Sequence, residues 1–180
     1  ADVLKRRLKL FIHVFRKTVQ HVLSIPFTVG GGVRSVEDAA ALLSAGADRV
    51  TVNTAAVADP SLVTRLAERF GAQCVVVAVD AKRDGERFFV STHGGRKLTG
   101  TELGAWVAEV TARGAGEILL TSMDADGTLA GFDVPMLKAA RAVTPLPIVA
   151  SGGAGDLAHF APAILDGGAD AVLAASVFHD

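Results

Sequence analysis

The chain contains no tyrosine, a single tryptophan (Trp106) and a single cysteine (Cys74) in 180 residues. With so few aromatics there is little on which the bases of a single-stranded nucleic acid could stack. A formal net charge of −1 provides no field to draw in a polyanion. No apolar run is long enough to cross a bilayer, so neither nucleic acid nor membrane is an expected partner. A lone cysteine cannot form an internal disulfide. Cys74 opens the run "CVVVAV", and a thiol among valines suits a reducing compartment, with the cytoplasm as the expected location. His13, His21, His93, His159 and His179 are scattered, without HxxxH or HExxH spacing, so no metal is expected. A Walker loop, a dinucleotide fingerprint and a Gly-x-Ser-x-Gly elbow are all missing, and no cofactor is expected.

What is present is apolar and regular. Half of the residues are hydrophobic, enough for one domain over residues 1–180 with a real core. From Ile25 onward short apolar runs alternate with helical patterns. "IPFTV" precedes the helix "SVEDAAALLSAG", which has an acidic first turn and a glycine stop. "RVTVN" precedes "DPSLVTRLAERFG", where Asp59 suits a cap and Pro60 the first helical position. "CVVVAVD" leads into a polar excursion with a hairpin, "RFFVSTHGGRK", then the helix "TELGAWVAEVTARG". "EILLTSMD", "LPIVASGG" and "ADAVLAAS" are further strands, separated by the helices "VPMLKAARAV" and "LAHFAPAILDGG". Strands apolar on both faces that alternate with helices predict an α/β architecture with a parallel sheet. The pattern alone admits a doubly wound sheet or a (β/α) TIM-type barrel.

An internal repeat favours the barrel. Residues 25–57 lie over residues 146–178, matching Pro26 with Pro147, Gly31-Gly32 with Gly152-Gly153, Gly46-Ala47-Asp48 with Gly168-Ala169-Asp170, and Thr54 with Ser176. Each copy runs strand, glycine loop, helix, strand, small hydroxyl residue, with one residue of slippage.

In such folds ligands sit at the carboxyl ends of the strands. Glycines there bare the backbone N–H groups that hold phosphate. Gly31, Gly32, Asn53 and Thr54 form one candidate phosphate site, and Gly152, Gly153, Ala175 and Ser176 a second. Glycines that only make tight βα turns are the plainer alternative, and the duplication weighs against it. Two such sites across one mouth imply a small substrate with phosphate at both ends. Asp80 ends a continuous apolar run and is the candidate general acid or base. Lys82 can lower its pKa or bind an anion. Asp126 is a weaker candidate, and Asp124 reads as a loop or cap residue.

The stretches "IPFTVGGGV", "GADRVTVNTAAV", "FGAQCVVVAVDAKR", "THGGRKLTG", "GAGEILLTSMDADGT", "PIVASGGAG" and "GGADAVLAASVFH" closely resemble the cyclase subunit family of imidazole glycerol phosphate synthase, from histidine biosynthesis. The resemblance implies an eight-stranded (β/α) barrel of two similar halves. It implies a lyase-type enzyme that joins ammonia to a bis-phosphate ribulosyl formimino aminoimidazole carboxamide ribotide. The products would be imidazole glycerol phosphate and aminoimidazole carboxamide ribotide. Asp80 matches one of the family's two catalytic aspartates, at the end of its fifth strand. Gly32, Asn53 and Thr54 match contacts to one phosphate, and Gly153, Ala175 and Ser176 contacts to the other. Thr121, Asp126 and Gly127 match pocket residues of the sixth strand. Arg49 and Glu117 match the gate through which ammonia arrives from a docked glutaminase subunit.

The resemblance begins at the family's third strand, so an incomplete barrel of about six parallel units is expected, without counterparts of the first two strand units or the last helix. The first-strand aspartate then has no match, impaired turnover is expected, and uncovered sheet edges predict self-association. Residues 1–24 form an atypical basic amphipathic segment, with Val3, Leu4, Leu8, Phe11, Ile12, Phe15 and Val19 near one helical face. A helix covering the open side of the sheet is the preferred reading, ahead of a membrane-surface or nucleic-acid contact. Two alternatives to the cyclase remain: the related sugar-phosphate isomerase of the same pathway, and a non-catalytic fragment that binds phosphates or self-assembles.

Overall fold

The computed structural model describes residues 25–178. The basic amphipathic segment and His13, His21 and His179 lie outside the described residues. Eight strands form one sheet: β1 (Thr28–Gly30), β2 (Arg49–Val52), β3 (Val75–Asp84), β4 (Arg87–Thr92), β5 (Lys97–Glu102), β6 (Glu117–Ser122), β7 (Ile148–Ser151) and β8 (Ala171–Leu173). Six of them run parallel in the order β1-β2-β3-β6-β7-β8. β4 and β5 form an antiparallel hairpin hung on the far half of β3.

The helices are α1 (Val36–Ser44), α2 (Thr54–Ala58), α3 (Ser61–Phe70), α4 (Leu103–Ala112), α5 (Val134–Arg141) and α6 (Phe160–Leu165). The strand order never reverses. A doubly wound sheet must reverse, because its crossovers go to both faces. Right-handed crossovers that always step in one direction put their helices on one face. The architecture is therefore an incomplete (β/α) TIM-type barrel, and the doubly wound alternative falls.

Burial divides the two faces of the sheet. Val50, Val52, Val77, Val79, Ala81, Ile118, Leu120, Ile148 and Ala150 are buried and share a core with Leu62, Val63 and Leu66 of α3, Val107 and Val110 of α4, and Met136 and Leu137 of α5. The alternate residues Arg49, Thr51, Ala78, Asp80, Lys82, Glu117, Leu119, Thr121, Val149 and Ser151 are only half-buried. Because side chains alternate along a strand, these all belong to the opposite face. Every polar strand residue that the sequence marked for function lies on that face.

Boundaries differ from expectation in several places. Cys74 is half-buried in a 3₁₀ turn before β3, β8 stops at Leu173 short of Ser176, and α2 was not foreseen. α3 starts at Ser61, one residue later than expected, although Asp59 Oδ1 still accepts from the Ser61 N–H at 3.1 Å. Thr101 and Glu102 finish β5 rather than starting a helix. β3 does not end at Asp80 but runs on to Asp84 as one arm of the hairpin. Ladder pairing to β4 holds those residues extended where composition suggested a loop.

The repeat reappears as a matched pair of clasps. Asp48 Oδ2 accepts from the Phe27 N–H at 2.7 Å, and Asp170 Oδ2 accepts from the Ile148 N–H at 2.8 Å. The backbone closes each pair from the other side: Asp48 N–H donates to Phe27 O and Asp170 N–H to Ile148 O, both at 2.9 Å. The aspartate of each "GAD" thus ties the start of one strand to the start of the next. The second clasp is stronger, because Arg141 pairs with Asp170 and also donates to the carbonyls of Gly168, Thr144 and Leu146.

Losing the Asp170 acceptor strands the Ile148 N–H and releases Arg141. Asp170→Ala should therefore cost about 1–3 kcal/mol, the usual penalty for an orphaned buried donor. Asp48→Ala should cost less, because its clasp is exposed and no arginine among the described residues pairs with it. Urea unfolding of both variants checks this, and an equal loss in the two would contradict it.

Candidate functional site

Asp80 sits in β3 where the strand passes from its parallel neighbour β2 to the hairpin strand β4. On the other flank it is in register with Thr121 of β6, and Thr121 with Ser151 of β7. The backbone at Asp80 is thereby paired on both sides, and the Ser91 hydroxyl donates to its carbonyl oxygen at 3.2 Å. Its side chain is half-buried. Oδ2 accepts a hydrogen bond from Asn53 Nδ2 at 3.0 Å. Burial raises the carboxyl above its ordinary value, the Asn53 hydrogen bond opposes this, and the Asp126 charge adds to the rise. The lowering by Lys82 that the sequence allowed is not what happens. Lys82 shares the face of Asp80, but desolvation and a second carboxylate dominate. A raised, half-buried carboxyl is suited to proton transfer.

Beside this acid lies a cavity of about 740 Å³. All four residues of the first candidate phosphate set, Gly31, Gly32, Asn53 and Thr54, line it. Gly31 and Gly32 take left-handed φ angles of 95° and 80°. Asn53 departs from expectation, because its Nδ2 donates to Asp80 and its buried Oδ1 has no partner among the described residues. Its side chain is thus tied to the acid. The Thr54 hydroxyl accepts from the His93 N–H at 3.3 Å, which leaves its own proton for a ligand. Arg34 and His93 also line the cavity, and sequence reasoning passed over both. Arg34 is an ordinary loop residue until "GGVRS" curls round the cavity. His93 reaches it only because the β4–β5 hairpin folds back onto the end of β2.

The second set follows the adjacent strands β7 and β8. Gly152 and Gly153 are buried, and Ala175 is exposed. Ser176 begins a short 3₁₀ turn at the end of β8. Here the glycines also serve packing. A Cβ on Gly153, with φ 101°, would overlap the Gly131 carbonyl oxygen, while Gly131 N–H donates to Gly153 O at 2.8 Å. This contact locks the loop after β6 onto the loop after β7. The β6 loop carries Asp126 and Gly127. Asp124 is a structural residue, as expected, for its Oδ2 accepts from the Arg83 N–H at 2.7 Å.

Arg49 and Glu117 occupy the opposite end of the same face. They are the first residues of β2 and β6 and form an ion pair across the start of the intervening β3. No cluster of His, Cys, Asp and Glu fit for a metal occurs among the described residues, and no helix among them is long and apolar enough to cross a membrane.

The sequence matches the family described as "Histidine biosynthesis protein" over residues 4–180. The chain belongs to this histidine biosynthesis family. It is 64% identical over 170 residues to imidazole glycerol phosphate synthase subunit HisF of Frankia casuarinae, covering 92% of this chain and 66% of that one. The subunit of the same name from Hyphomonas neptunium is 60% identical over 155 residues, covering 86% and 62%. That of Thermotoga sp. strain RQ2 is 54% identical over 179 residues, covering 99% and 69%. The chain spans about two thirds of the length of these curated relatives.

Two outcomes follow from the site's physics. Gly153→Ala should destabilise more than Gly31→Ala. The second adds only backbone strain of about 1–3 kcal/mol, with nothing within 4 Å of the new methyl, whereas the first also drives a methyl into backbone. Comparing urea midpoints tests the order. The raised Asp80 carboxyl also makes stability depend on pH. The folded chain holds this proton more firmly than the unfolded chain, whose reference value is 3.8. The Asp80 contribution is fully present below that pH and is lost as the pH rises through the folded value. Asp80→Asn should thus melt above the parent at neutral pH, with the gap closing towards pH 3.8. A gap that widens in acid would reverse the sign.

Proposed function

We propose that this chain carries the cyclase site of imidazole glycerol phosphate synthase. The site takes a substrate with a phosphate at each end, adds ammonia, closes the imidazole ring and releases imidazole glycerol phosphate and aminoimidazole carboxamide ribotide, with Asp80 moving protons as general acid or base. The observation that carries this is the placement of Asp80. A half-buried carboxyl with a raised pKa is bonded through Asn53 to the wall of the glycine-lined cavity. That cavity takes one phosphate, and the Gly152-Gly153 and Ala175-Ser176 turns take the other. Thr121, beside Asp80 in register, lines the path between them with Asp126 and Gly127. Lys82, on the Asp80 face, is an anion contact.

Ammonia enters from the far end of the same sheet face, past Arg49 and Glu117, where a glutaminase subunit docks. Support for this route is the run of half-buried residues between the ion pair and Asp80: Thr51, Ala78 and Leu119. Their small or apolar side chains favour an uncharged nitrogen nucleophile over ammonium.

Turnover of the bis-phosphate substrate with an ammonium salt tests the reading. Asp80→Asn should lower turnover by about a hundred- to ten-thousand-fold, the usual contribution of a general acid or base, and should leave substrate binding in place. Turnover indifferent to Asp80→Asn would remove its assigned role. Conversion of the isomerase substrate instead would favour the neighbouring pathway step, and phosphate binding without turnover a non-catalytic scaffold.

A further inference from the structure

Three ionisable residues line the cavity that receives the first phosphate, Arg34, Asp59 and His93, and the proposed chemistry gives none of them a role. His93 stands at the tip of the β4–β5 hairpin, in the left-handed region at φ 57°. Three bonds hold it there. Its N–H donates to Thr54 Oγ1 at 3.3 Å, its carbonyl accepts from Arg96 Nε at 3.0 Å, and its Nδ1 lies 3.1 Å from Thr92 Oγ1. In the neutral ring one nitrogen donates and the other accepts, whereas in the charged ring both donate: Nδ1 to the Thr92 hydroxyl, which can pass its own proton to Lys97 O at 3.4 Å, and Nε2 to a ligand.

A phosphate dianion offers only acceptors, and an imidazolium meets it with a charge and with both ring nitrogens as donors. We propose that His93 is a phosphate-binding residue of this cavity that holds a ring proton more firmly when the anion is bound, which makes affinity at this end of the substrate pH-dependent. The inference rests on the reading of the cavity as a phosphate site. The other charged groups nearby do not compete for the role. Asp59 is occupied by Ser61 and Arg65, and Asp80 is bonded to Asn53. Arg96 and Lys97 belong to the hairpin itself and do not line the cavity.

The experiment is an NMR titration of the chain with inorganic sulfate and, in parallel, inorganic phosphate. Sulfate keeps its charge across the working range, so its pH profile reports the protein. Backbone amides of Gly31, Gly32 and Thr54 report occupancy, and the imidazole nitrogens of His93 report its protonation. Sulfate affinity should fall about tenfold from acid to mildly alkaline pH, and the His93 ring should hold its proton to higher pH when anion is present. His93→Asn, chosen because asparagine tolerates a left-handed φ, should bind more weakly in acid and lose the pH dependence. The imidazole signals provide a second readout that needs no variant. Binding at the glycines with a flat pH profile, or a profile unchanged in His93→Asn, overturns the proposal and leaves the phosphate site standing. No shift of the glycine amides with either anion overturns the phosphate site, and the role of His93 falls with it.

Discussion

The site depends on β3 staying extended through Asp80. A strand that ended there would leave the acid on a loop. Instead β3 exchanges β2 for β4 along one edge while β6 accompanies it along the other over Val76–Ala81. The same continuation launches the hairpin, and the hairpin carries His93 back onto Thr54. Ladder bonds on both flanks therefore fix the acid and one wall of the cavity together.

Around this frame similar acids do different work, and environment decides which. Asp80 is half-buried and accepts from one side-chain donor among the described residues, so desolvation leaves its carboxyl raised. Asp59 is exposed and engaged by the Ser61 hydroxyl and Arg65, which hold its carboxyl below the ordinary value. Asp124 and Asp133 accept backbone N–H groups, from Arg83 and Met136, and so fasten loops and cap α5. Asp48 and Asp170 fasten strand starts. Hydrogen-bond donors make an aspartate structural, and desolvation with few donors makes one reactive.

The two halves of the repeat share a backbone plan but not a chemistry. Both use a glycine turn after one strand and a GAD clasp before the next. In the first half the glycines border a cavity with Arg34 and His93 on its wall. In the second, Gly153 has no room for a side chain because Gly131 presses on it. One glycine pair serves mainly access and the other also serves packing.

The sequence alone determined the alternation of strands and helices, the parallel sheet and the faces of the strands, because those follow from local apolar periodicity. Asp80, Thr54 and the glycine pairs were legible for the same reason, each standing at the end of an apolar run. The repeat and the family resemblance already favoured the barrel, and the strand order in the tertiary structure bears it out against the doubly wound sheet, since strand order is a property of pairing. Only tertiary structure decided that β3 outruns Asp80, that the Asn53 amide serves the acid, and that Arg34 and His93 face one cavity. His93 and Thr54 are 39 residues apart, and no periodicity reaches across such a gap. The contact exists because the hairpin folds back, and that is set by ladder bonds to β3 rather than by the residues at its tip.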